Sequence, residues 1–337
     1  MPSNAPPHPV PLNLVIITTA LSPIVQPLLD SGHTIVGIAD CGGKDAERAT
    51  SPSALVRLLK AGYELMRNDP PCLAVVAAKR GIPYYSADRA ARDPHLAPWI
   101  QALRPDVIAV YYAPILDPCI FTIPPLGTIN LHPSLLPAYR GGHPLFWSVY
   151  NGDTQAGATI HFIDARTDAG DILYQHAFPI QPGMSESTLE KLAIDQHGVR
   201  LMQQALDAIA AGVCPRRPQP NLSTTPAANR VHAERLNRLI DWNDWSIGRV
   251  WAVLRFAEAW QKTLPCPPGW KSPFRWTLGH YTQEPVTGAP GSIAQDRHGY
   301  YLVHPAGKIR LSVRYDVKRY VKWVLARLRG RSVTCNS

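Results

Sequence analysis

The sequence has no apolar run near the roughly 20 residues that a membrane-crossing helix needs. Its opening, MPSNAPPHPVPLN, lacks a basic stretch ahead of an apolar one. A secretory signal is therefore not expected, and the cytoplasm is the expected compartment. The six cysteines (Cys41, Cys72, Cys119, Cys214, Cys266, Cys335) form no CxxC pair, which argues against a zinc site or a disulfide framework. No GxGxxG follows the first strand-like run, where the junction reads TTALSP, and there is no Walker-type loop. A dinucleotide or P-loop phosphate cradle is thus excluded, whereas a Rossmann-like fold without that ligand is not. Charged residues make up only 18% against 45% hydrophobic, which suits a globular protein.

The charge that is present is unevenly placed. Residues 1–225 hold 16 Lys/Arg against 18 Asp/Glu, whereas residues 226–337 hold 18 against 7. The net charge of +9 therefore hides a C-terminal excess of +11. Such asymmetry points to an anionic partner for the C-terminal part, whether RNA, a nucleotide-linked sugar or a membrane surface.

At 337 residues the chain is long enough for two domains. Its first half alternates strand-like and helix-like stretches, the pattern of an α/β sheet. LNLVIIT (12–18), TIVGIAD (34–40), DVIAVYY (106–112) and GTINLH (127–132) read as buried strands. Helical spacing is expected over 22–31, 53–66 and 73–80, with the NDPP turn between the last two. ATIHFID (158–164) and DILYQHAF (171–178) alternate as strands do, and 187–212 carries a long helical pattern. A catalytic domain is thus expected over 1–212, followed by a Pro/Ser/Thr/Asn-rich linker over 213–230. The remainder, 231–337, is expected to form helix over 231–262, then short strands with Gly turns over 288–313 that suit a small β-barrel. A basic amphipathic helix is expected to close the chain, with Val317, Tyr320, Val321, Val324 and Leu328 on one face. Packing on its own domain is favoured for that helix over peripheral contact with a membrane.

The segment richest in chemistry is residues 129–173. Asn130 and His132 stand two apart at the end of an apolar strand and so face the same side. Polar groups at the carboxyl end of such a strand lie where open α/β sheets bind ligands. Asp168 sits in a loop between two strand-like runs, followed by Gly170. An amide, an imidazole and a carboxylate brought together there suit acyl transfer to an amine. The Asn130 amide and a protonated His132 can donate to the oxygen that gains charge, each such donor being worth roughly 3–4 kcal/mol. A partly buried Asp168 with a raised pKa can take the proton that the amine loses. Taken singly, each residue is as readily structural: buried polar groups need partners, and Asp before a glycine favours turns.

In combination the motifs resemble the folate-dependent formyltransferase family, which includes enzymes acting on methionyl-tRNA, on glycinamide ribonucleotide and on amino sugars. The family pattern is Asn-x-His, then Ser-Leu-Leu-Pro, then Asp-x-Gly. Here it reads Asn130-Leu131-His132, Ser134-Leu135-Leu136-Pro137 and Asp168-Ala169-Gly170. The resemblance implies a Rossmann-like α/β formyltransferase domain followed by a C-terminal helix and an open, OB-like β-barrel. It implies 10-formyltetrahydrofolate as donor, no metal, and Asn130, His132 and Asp168 as the catalytic trio. It places the folate against Ile115, Leu116 and Asp164, with backbone of the ILDP stretch serving the pterin. His161, in TIHF, falls near the Asp and is expected either to support the trio from behind or simply to pack.

The acceptor is read from the next loop. Relatives acting on tRNA usually carry Arg-Gly-Ala-Ala-Pro, whereas this chain has Arg140-Gly141-Gly142-His143-Pro144, closer to the small-amine enzymes. The basic insertion of the tRNA enzymes is also missing from 41–81, where charges are mixed. A small-molecule amine, for example on a nucleotide-linked sugar, is therefore the expected acceptor, contacted by Tyr139, Arg140 and His143. The alternative for Arg140 is a salt bridge within its loop. The +11 C-terminal part keeps tRNA as the alternative acceptor.

Overall fold

The computed structural model describes residues 10–42, 72–87, 93–260 and 274–315. The helix expected over 53–66, most of the mixed-charge stretch 41–81 and the basic terminal helix lie outside the described residues. Among the described residues no helix is long and apolar enough to cross a membrane. The chain divides into two compact units. The first holds the residues up to Gly141 together with Gly157–Phe178 and Lys191–Ala227. The second holds Gly142–Ala156, Pro179–Glu190 and the chain from Ala228.

The first unit is built on β1 (Asn13–Thr18), β2 (Thr34–Asp40), β3 (Tyr84–Ser86), β4 (Val107–Tyr111), β5 (Thr128–His132), β6 (Gln155–Phe162) and β7 (Ile172–Pro179). They form one sheet in the order β3-β2-β1-β4-β5-β6-β7. Pairing is parallel from β3 through β5, and β6 runs antiparallel to β5. Leu14–Ile17 and Val107–Ala109 are wholly buried, as continuous apolar runs must be when helices cover both faces of a parallel sheet. On one face Val15, Ile17, Ile108 and Val110 pack with Leu96 and Ile100 of α3 (Leu96–Leu103) and Ile120 of α4 (Pro118–Phe121). Two short helices, α1 (Val25–Leu29) and α2 (Leu73–Lys79), precede these in the chain.

The helical pattern expected over 187–212 is present but not uniform. It begins as α6 (Glu186–Lys191), widens into a π-turn over Leu192–Gly198, and continues as α7 (Val199–Ala210). The π-turn delivers Gly198 onto β5, where a Cβ would strike the Leu131 side chain. Only glycine lets the helix lie this close to the strand that bears Asn130 and His132. The order of strands reverses between β1 and β4, so the carboxyl ends of β1, β4 and β5 meet at the crevice where such sheets take ligands.

The second unit contains α5 (Pro144–Asn151), α8 (Ala233–Leu239), α9 (Ile247–Phe256), a 3-10 turn over Ala257–Trp260, and β8 (Phe274–Thr282), β9 (Ile293–Asp296), β10 (Gly299–His304) and β11 (Gly307–Tyr315). The four strands make an antiparallel sheet in the order β8-β11-β10-β9. The helix expected over 231–262 is broken, because Asp241 Oδ1 accepts from the Asn243 and Asp244 N–H groups and turns the chain. Helix α9 restarts behind Ser246, whose hydroxyl caps the Arg249 N–H. Its core is aromatic, with Phe146, Phe256 and Trp260 ring to ring.

Candidate active site

The antiparallel β5–β6 ladder sets Asn130 opposite His161 and His132 opposite Thr159. Asn130 and His132 point the same way from β5, and the chain after β6 brings Asp168 back to them. His132 Nδ1 stands 3.6 Å from Asp168 Oδ2, and His161 Nε2 stands 3.6 Å from Asp168 Oδ1. Asn130 Nδ2 lies 3.1 Å from His161 Nε2. The expected trio is therefore together, with His161 as a fourth member in direct contact.

Neighbouring carbonyls decide the tautomers. His161 Nδ1 lies 2.8 Å from the Phe162 carbonyl and must carry its proton there. Its Nε2 is then bare and accepts from the Asn130 amide. This leaves Asn130 one N–H for another partner and fixes which way its amide points. His132 Nε2 lies 2.9 Å from the Tyr139 carbonyl, so its proton sits on Nε2 and Nδ1 faces Asp168.

The protonation states differ from those expected. Burial pushes the His132 imidazole below its ordinary pKa, and the Asp168 charge and the Tyr139 carbonyl offset this only in part. With 4% of its surface exposed, His132 is neutral near pH 7 rather than charged. Asp168 is also buried, which by itself raises a carboxyl pKa. In acid, where the carboxyl would take up its proton, His132 in its imidazolium form, the His161 ring and the Gly141 N–H at 2.9 Å outweigh burial and hold it well below the usual carboxylate range. Asp168 is thus an anion, not the raised-pKa acid that its burial suggests.

Local backbone serves this geometry. Asp168 takes a left-handed conformation, φ 50°, which Asp tolerates. Gly170 follows because a Cβ there would drive into the Phe162 carbonyl. Tyr139 is also left-handed, φ 59°, a rare state for a bulky residue, and it turns its carbonyl onto His132.

The other expected contacts fall differently. Tyr139 is 6% exposed, so what it presents to the site is its carbonyl rather than its ring. The Arg140 guanidinium is engaged within the unit: it donates to Gln219 Oε1 at 2.9 Å and to the carbonyls of Pro220 at 2.8 Å and Asn221 at 3.3 Å. His143 belongs to the second unit, where Nδ1 accepts from the Val231 N–H and the ring stacks on Trp260. Of the expected folate contacts, Leu116 is buried in the core while Ile115 is 72% exposed, on the strand-to-helix connection after β4. That connection lies at the carboxyl edge of the sheet, where β4 pairs with β5. Asp164 caps the Arg166 N–H and pairs with its guanidinium at 3.3 Å. It also lines a cavity of about 500 Å³ with Phe121, Leu126, Phe162 and Arg216, a lining that includes none of the trio. Two residues beyond those expected join the site: the Gly141 N–H donates to Asp168, and Gln219 donates to its carbonyl. Gly141 could have been suspected from the Arg-Gly-Gly run, whereas Gln219 carries no local signal.

Comparison with known proteins identifies the family. Residues 51–206 match the formyl transferase family. A methionyl-tRNA formyltransferase of Roseiflexus castenholzii is 31% identical over 249 residues, covering 72% of this chain and 71% of that protein. This chain belongs to the formyltransferase family. A second methionyl-tRNA formyltransferase, from a Synechococcus species, is 38% identical over 161 residues, covering 47% of this chain and 49% of its own length. Among solved structures the formyltransferase fold recurs in an N-formyltransferase from Helicobacter canadensis, at 15% identity and a TM-score of 0.56 over 90% of this chain and 100% of that one. It recurs also in a HypX variant from Aquifex aeolicus, at 15% identity and a TM-score of 0.56 over 94% of this chain and 48% of that one. The protein is accordingly an N-formyltransferase by class.

Proposed function

We propose that this formyltransferase moves the formyl group of 10-formyltetrahydrofolate to the amine of an aminoacyl-tRNA, methionyl-tRNA in the first instance. The observation that carries formyl transfer is the meeting of Asn130, His132, His161 and Asp168 at the carboxyl end of β5. The bond from the amine nitrogen to the formyl carbon forms, and the bond from that carbon to the folate nitrogen breaks. Asn130 gives its second amide N–H to the formyl oxygen as that oxygen gains charge, a contribution of about 3 kcal/mol to the barrier. Asp168, the more exposed of the acid–base pair, meets the attacking amine and accepts its proton. Behind it, the bare Nδ1 of neutral His132 is the proton's resting place, and the Tyr139 carbonyl holds the ring in the tautomer that allows this. The same proton is then available to the departing folate nitrogen, so the pair ends as it began.

The choice of acceptor rests on two supports. The relatives that align with most of the chain carry the name methionyl-tRNA formyltransferase. The +11 charge of residues 226–337 is the footprint expected for phosphate contacts. The features that favoured a nucleotide-linked amino sugar have weakened, since Arg140 spends its guanidinium, and His143 its Nδ1, inside the chain. The amino-sugar reading keeps one support, the Arg140-Gly141-Gly142-His143-Pro144 sequence itself. The test is a panel of amines offered with 10-formyltetrahydrofolate: methionyl-tRNA, amino sugar nucleotides and hydroxyornithine-like amines. A mass gain of one formyl group on the tRNA-borne methionine is expected, with a KM that rises steeply between low and moderate salt. Formylation of an amino sugar alone, with mild salt dependence, would replace this reading with the second.

A further inference from the structure

The Pro-rich segment after α7 does not run free of the first unit. Arg217 pairs with Ile172 through both backbone groups, Ser223 donates to the Pro137 carbonyl at 2.6 Å, and Thr225 accepts the Tyr139 N–H at 2.7 Å. Between them, Gln219 is 8% exposed and uses its whole amide. Nε2 donates one hydrogen to the Asp168 carbonyl at 3.1 Å and the other to the Gly170 carbonyl at 2.7 Å. Oε1 accepts from Arg140 Nη2 at 2.9 Å and from Arg140 Nε at 3.3 Å. Two donors and two acceptor lone pairs are thus all in use, a set that only an amide supplies.

We infer that Gln219 is a positioning residue for formyl transfer: its amide ties the Arg140–Gly141 turn to the Asp168–Gly170 loop and so sets where the Asp168 carboxylate stands. The geometry leaves little slack. Gly141, next to the Arg140 that Gln219 holds, gives its N–H to Asp168 Oδ2. The Asp168 backbone, left-handed at φ 50°, is held by Gln219 from the other side. One side chain therefore governs both ends of the Gly141–Asp168 bond, and with it the spacing from Asp168 to His132. A shift of about 1 Å in a reacting group can cost on the order of a hundredfold in rate. The inference rests on the proposed transfer reaction for its kinetic consequence, but its structural part does not.

The test compares Gln219→Met and Gln219→Glu with the unaltered full-length chain. Methionine keeps the length and loses every polar contact. Glutamate keeps the acceptor for Arg140, whose charge balances the new carboxylate, and loses the two donors, so it remains informative if the methionine variant does not fold. Both are expected to lower kcat by about ten- to a hundredfold while the KM for 10-formyltetrahydrofolate stays within about threefold. Ser223→Ala, which frees the Pro137 carbonyl instead, should lower Tm with kcat within about threefold. A second readout needs no acceptor: the NMR titration of the His132 ring. The groups facing Asp168 are the His132 and His161 rings, the Gly141 N–H and the Arg140 guanidinium, with Arg166 and Asp164 beyond Arg140. In Gln219→Met the displaced carboxylate supports the imidazolium less, so the ring should titrate at lower pH than in the unaltered chain. If the unaltered chain formylates no amine in the panel, the functional reading has failed and the ring titration alone decides this inference. A folded Gln219→Met or Gln219→Glu with unchanged kcat and ring titration overturns the positioning role, whatever happens to Tm. Failure of both to fold overturns it too, by making Gln219 a folding residue.

Discussion

Two imidazoles stand at equal distance, 3.6 Å, from the two oxygens of one carboxylate, yet they are held in opposite tautomers. The Phe162 carbonyl accepts a hydrogen bond from the Nδ1–H of His161, and the Tyr139 carbonyl accepts one from the Nε2–H of His132. His161 consequently turns a bare Nε2 toward an amide, and His132 turns a bare Nδ1 toward a carboxylate. The proposed division of labour follows: one ring orients Asn130, and the other is assigned to receive a proton. Proximity to Asp168 does not separate the two roles; the backbone carbonyl behind each ring does.

Breaking the shared carboxylate should have the largest effect. Asp168→Asn is expected to lower kcat about a thousandfold with the fold retained, because the pair loses its acceptor for the amine proton. Steady-state rates and a thermal melt check this. The two rings then separate in magnitude. His132→Ala should cost about a hundredfold or more in kcat. His161→Ala should cost about tenfold, the effect of freeing the Asn130 amide to turn while leaving it in place. Equal losses in the two variants would erase the distinction drawn between them.

The titration of His132 sharpens the comparison further. Its folded pKa lies below the ordinary value of about 6.5, so the unfolded chain binds this proton more readily than the folded one. Stability should therefore fall as pH drops from about 6.5 through the folded value, and His132→Ala should flatten that part of the curve. Asp168 acts lower down: its folded pKa is depressed, so its stabilisation is present above about 3.9 and is lost as pH falls through the folded value. Urea midpoints across pH, compared between the unaltered chain and His132→Ala, measure this difference. The smallest effect is purely steric. Gly170→Ala should destabilise the fold by about 1–3 kcal/mol, since its Cβ meets the Phe162 carbonyl.

Much of the fold and part of the site are legible in the sequence. Apolar runs such as LNLVIIT and DVIAVYY gave the buried strands, because a parallel sheet covered on both faces leaves no polar alternation to obscure them. Asn130 and His132 were readable as a pair because strand periodicity puts alternate residues on one side. The protonation states were not readable: burial of Asp168 argued for a raised pKa, and only the rings and the Gly141 N–H around it reverse the sign. Arg140 and His143 looked free because their partners, Gln219 and Val231, lie 79 and 88 residues further along the chain. Gln219 itself sits among prolines that signal a linker, and nothing local marks its side chain as buried. The π-turn was hidden inside an ordinary helical pattern, and β8, FRWTLGHYT, lies ahead of the 288–313 stretch whose Gly turns marked β9 to β11.

The most direct measurement is a single-turnover reaction of the full chain with 10-formyltetrahydrofolate and methionyl-tRNA, run beside Asp168→Asn. The account predicts one formyl group on the methionine amine from the unaltered chain and almost none from the variant over the same time. Equal transfer by both proteins would contradict it.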